Sequence, residues 1–282
     1  MSVEAQRHAT GRRASGEALN RRVVVHALIG GLVLVSWLTL WAWADSPYSR
    51  YIDHGRWTEI GLAAAICRAI PAGDILVPAL LYASGWVLMV AAMMLPTTLP
   101  IIEIFRRITD GRADAGRLIG LVIMGYLVAW FGFGLAAHAF DYFLHEIAEG
   151  IPWLIANGWA IGVAVIGGAG LFQFTSLKYR CLDKCRTPLG FVIERWRGRA
   201  PAREAWRLGF DHGIFCIGCC WALMLLMFVV GTGNVGWMLA LAAVMAVEKN
   251  LPAGGRLSTP LGIALIAWAS LIFFINIMPA SI

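Results

Sequence analysis

Long apolar stretches separated by short polar segments make up most of the chain from residue 23 onward. A helix that crosses a bilayer needs about 20 apolar residues, because each residue covers about 1.5 Å of a hydrocarbon core about 30 Å thick. Seven stretches reach or approach this length, and they predict an all-α polytopic membrane helix bundle of about seven transmembrane helices. The predicted helices are 23–44, 79–102, 118–140, 153–176, 208–230, 235–247 and 259–278. The sixth stretch is short for a full span, so a re-entrant segment is an alternative there.

Composition and charge agree with this interpretation. Hydrophobic residues make up 59% of the 282 residues and charged residues only 14%, and the mean hydropathy is +0.71. The net charge of +6 comes from basic residues that cluster in the tail 1–22 and in alternate predicted loops. By the positive-inside rule the N-terminus and the loop 177–207 are cytoplasmic, and nucleic acid is not a partner. We expect a basic cytoplasmic tail, 1–22, and a single transmembrane domain, 23–282, whose partner is the lipid bilayer.

The fifth predicted helix contains the segment HGIFCIGCCW, residues 212–221. At 100° per residue, His212, Cys216, Cys219 and Cys220 fall on one stripe about 100° wide. Polar side chains are costly inside a bilayer, and a stripe of three thiols and an imidazole therefore favours a ligand site. Cysteine is also a small apolar residue, and helix packing together with the nearby glycines is the alternative.

A second segment, AAMMLPTTLP, lies at a matching predicted depth in the second helix. Met93 and Met94 fall about 13 Å from its inner end, close to the level of Cys216. Pro96 and Pro100 each remove a backbone donor, so we expect a kink here. Thioethers bind soft metals, although methionine is also an ordinary filler of apolar cores.

A third segment, KYRCLDKCRTP, carries Cys181 and Cys185 one helical turn apart, if the fourth helix continues. Basic neighbours favour the thiolate forms, which bind metals, while palmitoylation or two inert thiols are alternatives. Cys67, the sixth cysteine, falls in the first predicted outer loop. At the end of the sixth predicted helix, Glu248 beside Lys249 predicts an ion pair, or a carboxylate that completes a coordination sphere.

Several segments together resemble the signature blocks of a bacterial domain-of-unknown-function family described as predicted metal-binding integral membrane proteins. The blocks are AAMMLPTTLP, GYLVAW, GLFQFTSLKYRCLDKCRTP, CIGCCWALMLLMFVVG and AVEKNLP, spread from about residue 84 to residue 252. The resemblance implies a multi-pass protein of the bacterial inner (cytoplasmic) membrane with a metal site, and it brings no established reaction. The residues that it carries are Met93, Met94, Pro96, Gln173, Lys178, Cys181, Cys185, Arg186, Pro188, Cys216, Cys219, Cys220, Trp221, Glu248 and Lys249. His212 lies outside these blocks, and its candidacy depends on the helical stripe alone.

The functional hypothesis is a membrane protein that binds a soft transition metal near the cytoplasmic side, for handling, delivery or transport. The candidate ligands are Cys216, Cys219, Cys220, His212, Met93, Met94, Cys181 and Cys185. Thiolates and thioethers favour copper, as Cu(I), with zinc as an alternative, and another membrane protein or metalloprotein is a candidate partner. No catalytic triad or phosphate-binding loop is evident, which favours a binding protein over an enzyme. Two alternatives stay open: a membrane thiol oxidoreductase that uses the inner-side cysteines, and a non-catalytic assembly subunit of a membrane complex.

Overall fold

The computed structural model describes residues 23–42, 73–230 and 234–278, and this part of the chain is all-α. The predicted tail 1–22 and Cys67 lie outside the described residues. The helices are α1 (Val23–Ala42), α2 (Gly73–Met93), α3 (Leu99–Ile108), α4 (Ala115–Glu149), α5 (Pro152–Ala156), α6 (Trp159–Phe172), α7 (Ser176–Arg186), α8 (Pro188–Arg195), α9 (Pro201–Val230), α10 (Val235–Asn250) and α11 (Ser258–Ile277). Short 3₁₀ turns, Leu95–Thr98 and Gly254–Leu257, lead into α3 and α11.

Four helical segments of the described residues are long and apolar enough to cross a membrane: Val23–Ala42, Ala115–Leu144, Pro201–Met227 and Gly254–Ile277. The number rises to six if each of two bent helix pairs is one span. Large apolar side chains such as Leu28, Ile263 and Phe274 are exposed on these helices, which is compatible with contact to lipid. The fold is thus an all-helical bundle with four to six candidate spans; seven spans and a cytoplasmic N-terminus stay predictions.

The first bent pair contains the kink that the two prolines predict. Ala79–Met93 and Leu95–Ile108 meet at 57°, and Pro96 lies in the 3₁₀ turn between them. Because proline has no amide hydrogen, the carbonyl of Ala92 lacks its usual helical donor. Trp37 of α1 replaces that donor, with 3.1 Å between Nε1 and the Ala92 oxygen. Local chemistry breaks the helix, and a neighbouring helix satisfies the backbone group that the break releases.

The second bent pair changes the prediction for the loop 177–207. Trp159–Phe172 and Ser176–Arg186 meet at 62°, so the fourth predicted helix does not continue straight through the cysteine pair. Thr175 caps α7 by accepting a hydrogen bond from the Lys178 amide, a common helix start. Pro188 and Pro201 then begin α8 and α9, positions where proline costs no hydrogen bond. The polar segment 177–207 is therefore mostly helical, and its cytoplasmic location between two spans stays a prediction.

Helices α4 and α9 form the most extensive contact of the described fold. Glycines allow the two backbones to approach closely. A methyl group at Gly209 would lie 1.9 Å from the Val122 carbonyl oxygen, and one at Gly125 would lie 2.3 Å from that of Trp206. Small residues at crossing points are typical of helix packing in membranes. This close contact fixes α9 against the bundle and sets the position of its cysteine stripe.

Candidate metal centre

The three cysteines of α9 form the centre of the site. Cys216, Cys219 and Cys220 are 0%, 2% and 1% exposed, and none is in a disulfide. The Cys219 thiol donates a hydrogen bond to the Cys216 carbonyl at 3.1 Å, and the Cys220 thiol donates to the same oxygen at 2.8 Å. Thiols that bond back to their own helix lie flat against it and keep their sulfur lone pairs available.

Two further sulfurs from other helices meet this stripe. Cys185 of α7 places its Sγ 4.0 Å from the Cys219 Sγ. At the kink that follows α2, Met94 places its Sδ 3.9 Å from the Cys220 Sγ. We call Cys185, Cys219, Cys216, Cys220 and Met94 the sulfur cluster. It joins α7, α9 and the kink between α2 and α3, which are distant in sequence.

A lysine lies within the sulfur cluster. The Nζ of Lys249, at the end of α10, is 2.9 Å from the Cys216 Sγ, 3.5 Å from the Met94 Sδ and 3.9 Å from the Cys220 Sγ. Tyr126 of α4 adds a hydrogen bond between its hydroxyl and the Cys216 Sγ, at 3.1 Å. Both side chains are buried. Sequence reasoning did not assign either residue to the site, although both fall in the quoted blocks GYLVAW and AVEKNLP.

Glu248 does not pair with its neighbour Lys249. Its carboxylate forms a buried ion pair with Lys178 at 2.7 Å and accepts a hydrogen bond from Ser258 at 2.7 Å. Gln173 also contacts the Lys178 ammonium. Glu248 therefore forms an ion pair with a lysine of α7 and not with the adjacent Lys249, and its carboxylate belongs to this network rather than to the sulfur cluster. The network joins α7, α10 and α11.

Arg186 reinforces the end of α10. Its guanidinium donates to the carbonyl of Glu248 and to that of Pro252, each at 2.6 Å. These carbonyls lie where α10 ends, so they have no partner within the helix. Glu248 points toward Lys178 of α7 and Ser258 of α11. Because consecutive helical residues project in directions about 100° apart, Lys249 points elsewhere, toward Cys216 of α9.

His212 lies one turn before Cys216 and is 6% exposed. Its ring packs between Tyr126 and Phe191, with centroids 5.8 Å and 5.6 Å away. Its Nδ1 is buried and has no hydrogen-bond partner among the described residues. A buried imidazole nitrogen without a hydrogen-bond partner can bind a metal ion, and the ring that carries it is held between two aromatic side chains.

The two other candidates are buried beside the sulfur cluster. Cys181 packs against the α9 backbone, where a methyl group at Gly218 would lie 2.5 Å from its Sγ. Met93 is buried in the core next to Met94. The one-turn spacing of Cys181 and Cys185 puts both on α7, but it is Cys185 whose sulfur contacts a cysteine of α9.

Helix α8 covers the α9 stripe on the side of His212. Phe191 contacts Phe215 at 5.8 Å between ring centroids, and Arg195 forms an ion pair with Asp211 at 2.9 Å. Asp211 is thus engaged away from the sulfurs. Glu194 of α8 also forms an ion pair with Lys184 of α7. The hydrogen bond from Lys184 lowers the pKa of Glu194, so this carboxylate stays ionised at neutral pH.

Sulfur pairs, rather than a complete coordination polyhedron, are the chemical feature of this site. Among the described residues, no group of three or more His, Cys, Asp and Glu side chains is arranged so that it could hold a metal ion. Paired sulfurs suit an ion that accepts few, soft ligands, and they do not suit Mg²⁺ or Ca²⁺, which take six or more oxygen ligands.

Comparison with known proteins bears directly on this chemistry. Residues 83–272 match the model of the family described as PpoB2: copper chaperone. The chain belongs to this family. The matched residues include the whole sulfur cluster, Tyr126 and Lys249. No curated protein and no solved structure matches the chain.

Membership of the PpoB2 family confirms the expected relationship to a metal-related family and supports copper handling. It does not address the bacterial origin or the membrane location that the earlier resemblance implies. Both stay predictions, as do the individual ligands.

Proposed function

We propose that this protein binds copper as Cu(I) at the sulfur cluster and delivers it to a membrane protein or metalloprotein partner. The contact that carries the proposal is the 4.0 Å separation of the Cys185 and Cys219 sulfurs. A metal–thiolate bond is about 2.3 Å long, so two sulfurs on one ion lie at most about 4.6 Å apart. The two thiols are within this limit without movement of either helix.

The remaining donors favour a soft, low-coordinate ion. Met94 and Cys220 form a second sulfur pair at 3.9 Å, again within the span of one ion. A thioether is a weak ligand for Zn²⁺ and a good one for Cu(I), which favours copper over the zinc alternative. The unpartnered Nδ1 of His212 is a reserve donor one helical turn away.

Exposure suggests a direction of transfer within the site. Cys185 is partly buried, whereas Cys216, Cys219 and Cys220 are almost fully buried. In the proposed route Cys185, assisted by Cys181, accepts the ion first. Cys219 then adds as a second ligand and releases its thiol proton to water, and the Cys185–Cys219 pair holds the ion at rest. During delivery the ion passes to Cys216, Cys220 and Met94 by ligand exchange, in which each incoming sulfur displaces an outgoing one and the copper stays Cu(I).

We further propose that the protein is a multi-pass protein of the bacterial inner membrane with this site near the cytoplasmic side. The four to six candidate spans and the alternation of basic and non-basic predicted loops support this placement. A site at that level can exchange copper with a partner on the cytoplasmic side or pass it to a membrane partner.

Elemental analysis by mass spectrometry tests the proposal. The protein is purified in mild detergent under reducing conditions, and copper per chain is compared with that of a variant in which Cys216, Cys219 and Cys220 are all serine. We expect about one copper per chain that the variant loses. Cys67→Ser is the matched control, because it removes one thiol that is predicted to lie outside. Full copper retention in the triple variant would remove the proposal.

The Cys185–Cys219 contact also favours the second candidate, a thiol oxidoreductase. Thiol–disulfide exchange requires two thiols within reach, and this pair meets that condition. A mixed disulfide trapped between the protein and a partner protein would support the oxidoreductase. A cysteine-free variant with unaltered function would instead support an assembly subunit.

A further inference from the structure

Lys249 places a positive charge within the sulfur cluster. Its Nζ contacts three sulfurs at 2.9–3.9 Å, and the residue is 7% exposed. In the part of the chain that the structure describes, no carboxylate forms an ion pair with it. Lys249 therefore differs from Lys178, which is also buried but forms an ion pair with the carboxylate of Glu248.

The neighbouring charges do not neutralise Lys249. Glu248 is held by Lys178 and Ser258, and Arg186 adds a further positive charge at the end of α10. The groups that face the ammonium are the sulfurs of Cys216, Cys220 and Met94 and, through Cys216, the hydroxyl of Tyr126. The nearest partners of the Lys249 amine are therefore sulfurs, and no carboxylate among the described residues offsets its charge.

A metal ion bound by the sulfur cluster lies close to the Lys249 ammonium. An ion bonded to the Cys216 Sγ at about 2.3 Å lies no more than about 5 Å from the Lys249 Nζ. Coulomb repulsion is proportional to the product of the two charges, so a divalent ion experiences twice the repulsion of a monovalent ion at the same place. The effect is large in a buried site, where solvent screens it little.

We infer that Lys249 is the residue that selects a monovalent ion over a divalent one at the sulfur cluster. The side chain acts through its fixed charge and is not itself a ligand. With the lysine present, the charge at the cluster is one unit more positive than without it, and this difference costs a divalent ion twice as much as a monovalent one. This inference rests on the proposed function, since it requires that the cluster binds metal.

The test compares Cu(I) and Zn²⁺ dissociation constants for the wild-type protein and Lys249→Leu in the same detergent. Leucine removes the charge and, unlike methionine, adds no sulfur donor to the cluster. We expect the preference for Cu(I) over Zn²⁺ to fall by at least about tenfold in Lys249→Leu, a change that corresponds to about 1.4 kcal/mol. Lys249→Arg, which keeps the charge, should retain the wild-type preference.

Arg256→Leu is the matched control, because it removes one positive charge from an exposed position in the turn after α10. Helical content measured by circular dichroism establishes that each variant is folded, and Lys249→Gln serves as a second neutral variant. An unchanged preference in the folded neutral variants would overturn the inference and leave the proposed function intact. Loss of both metals in Lys249→Leu and Lys249→Gln would also overturn it, since the lysine would then be required for binding itself. A wild-type protein that binds neither metal would instead overturn the proposed function.

Discussion

Cys185 and Cys219 place their sulfurs 4.0 Å apart, although they are 34 positions apart in the chain and belong to separate helices. The 62° bend that precedes α7 makes this meeting possible. A straight continuation of α6 would carry Cys185 away from α9. The bend in the backbone therefore helps to determine which sulfurs meet at the candidate site.

Substitution of Cys185 or Cys219 by serine should weaken Cu(I) binding by about tenfold or more, since each removes one soft ligand from the pair. Competition with a chromophoric Cu(I) chelator measures the change. Cys67→Ser should leave the affinity unaltered. If all three variants bind Cu(I) with equal affinity, Cys185 and Cys219 are not copper ligands.

Mild oxidation should join the same two cysteines. The two thiols lose two protons and two electrons to an added diamide oxidant and form one disulfide, because their sulfurs need to move only about 2 Å to reach bonding distance. Peptide mapping by mass spectrometry identifies the linked residues. Prior loading with Cu(I) should slow the reaction; a disulfide that forms equally fast in the loaded protein would show that copper binds elsewhere.

Gly209→Ala should destabilise the fold by about 1–3 kcal/mol, because the added methyl group overpacks the contact of α9 with the Val122 carbonyl of α4. Thermal unfolding in detergent measures the loss. Gly116→Ala on α4 is the control, since a methyl group there meets nothing within 4 Å. Similar melting temperatures for the two variants would contradict the close packing of α4 and α9.

Lys178→Met should destabilise the protein by about 3–5 kcal/mol, because it leaves the buried Glu248 carboxylate without its ion partner. The double variant Lys178→Met, Glu248→Leu should recover much of that loss, since neither charge then remains buried alone. A double-mutant cycle in denaturant gives the coupling. Additive effects of the two substitutions would contradict the ion pair.

Local chemistry predicted several features of the fold and the site. Pro96 identified the kink, because a missing amide hydrogen acts within one helical turn. The 100° periodicity placed Cys216, Cys219 and Cys220 on one buried face of α9. The rise of about 1.5 Å per helical residue predicted that Met94 and these cysteines lie at the same depth, and the structure places the Met94 sulfur beside that of Cys220.

Features that depend on contacts between distant segments were not predictable in this way. The spacing of Cys181 and Cys185 gave no reason to distinguish them, whereas the bend before α7 turns Cys185 toward Cys219. Lys249 and Tyr126 join the sulfurs only because α10 and α4 pack beside α9. Glu248 was expected to pair near Lys249, but the partner Lys178 comes from α7. His212 lies on the predicted stripe, yet aromatic rings of α4 and α8 surround it.

X-ray absorption at the copper edge, on the protein loaded with one equivalent of copper under reducing conditions, tests the central claim most directly. The account predicts an edge typical of Cu(I) and a first shell of sulfur atoms alone at about 2.3 Å, with Cys185→Ser and Cys219→Ser each reducing the sulfur count. A first shell of nitrogen and oxygen atoms, unchanged in both variants, would contradict copper binding at the sulfur cluster.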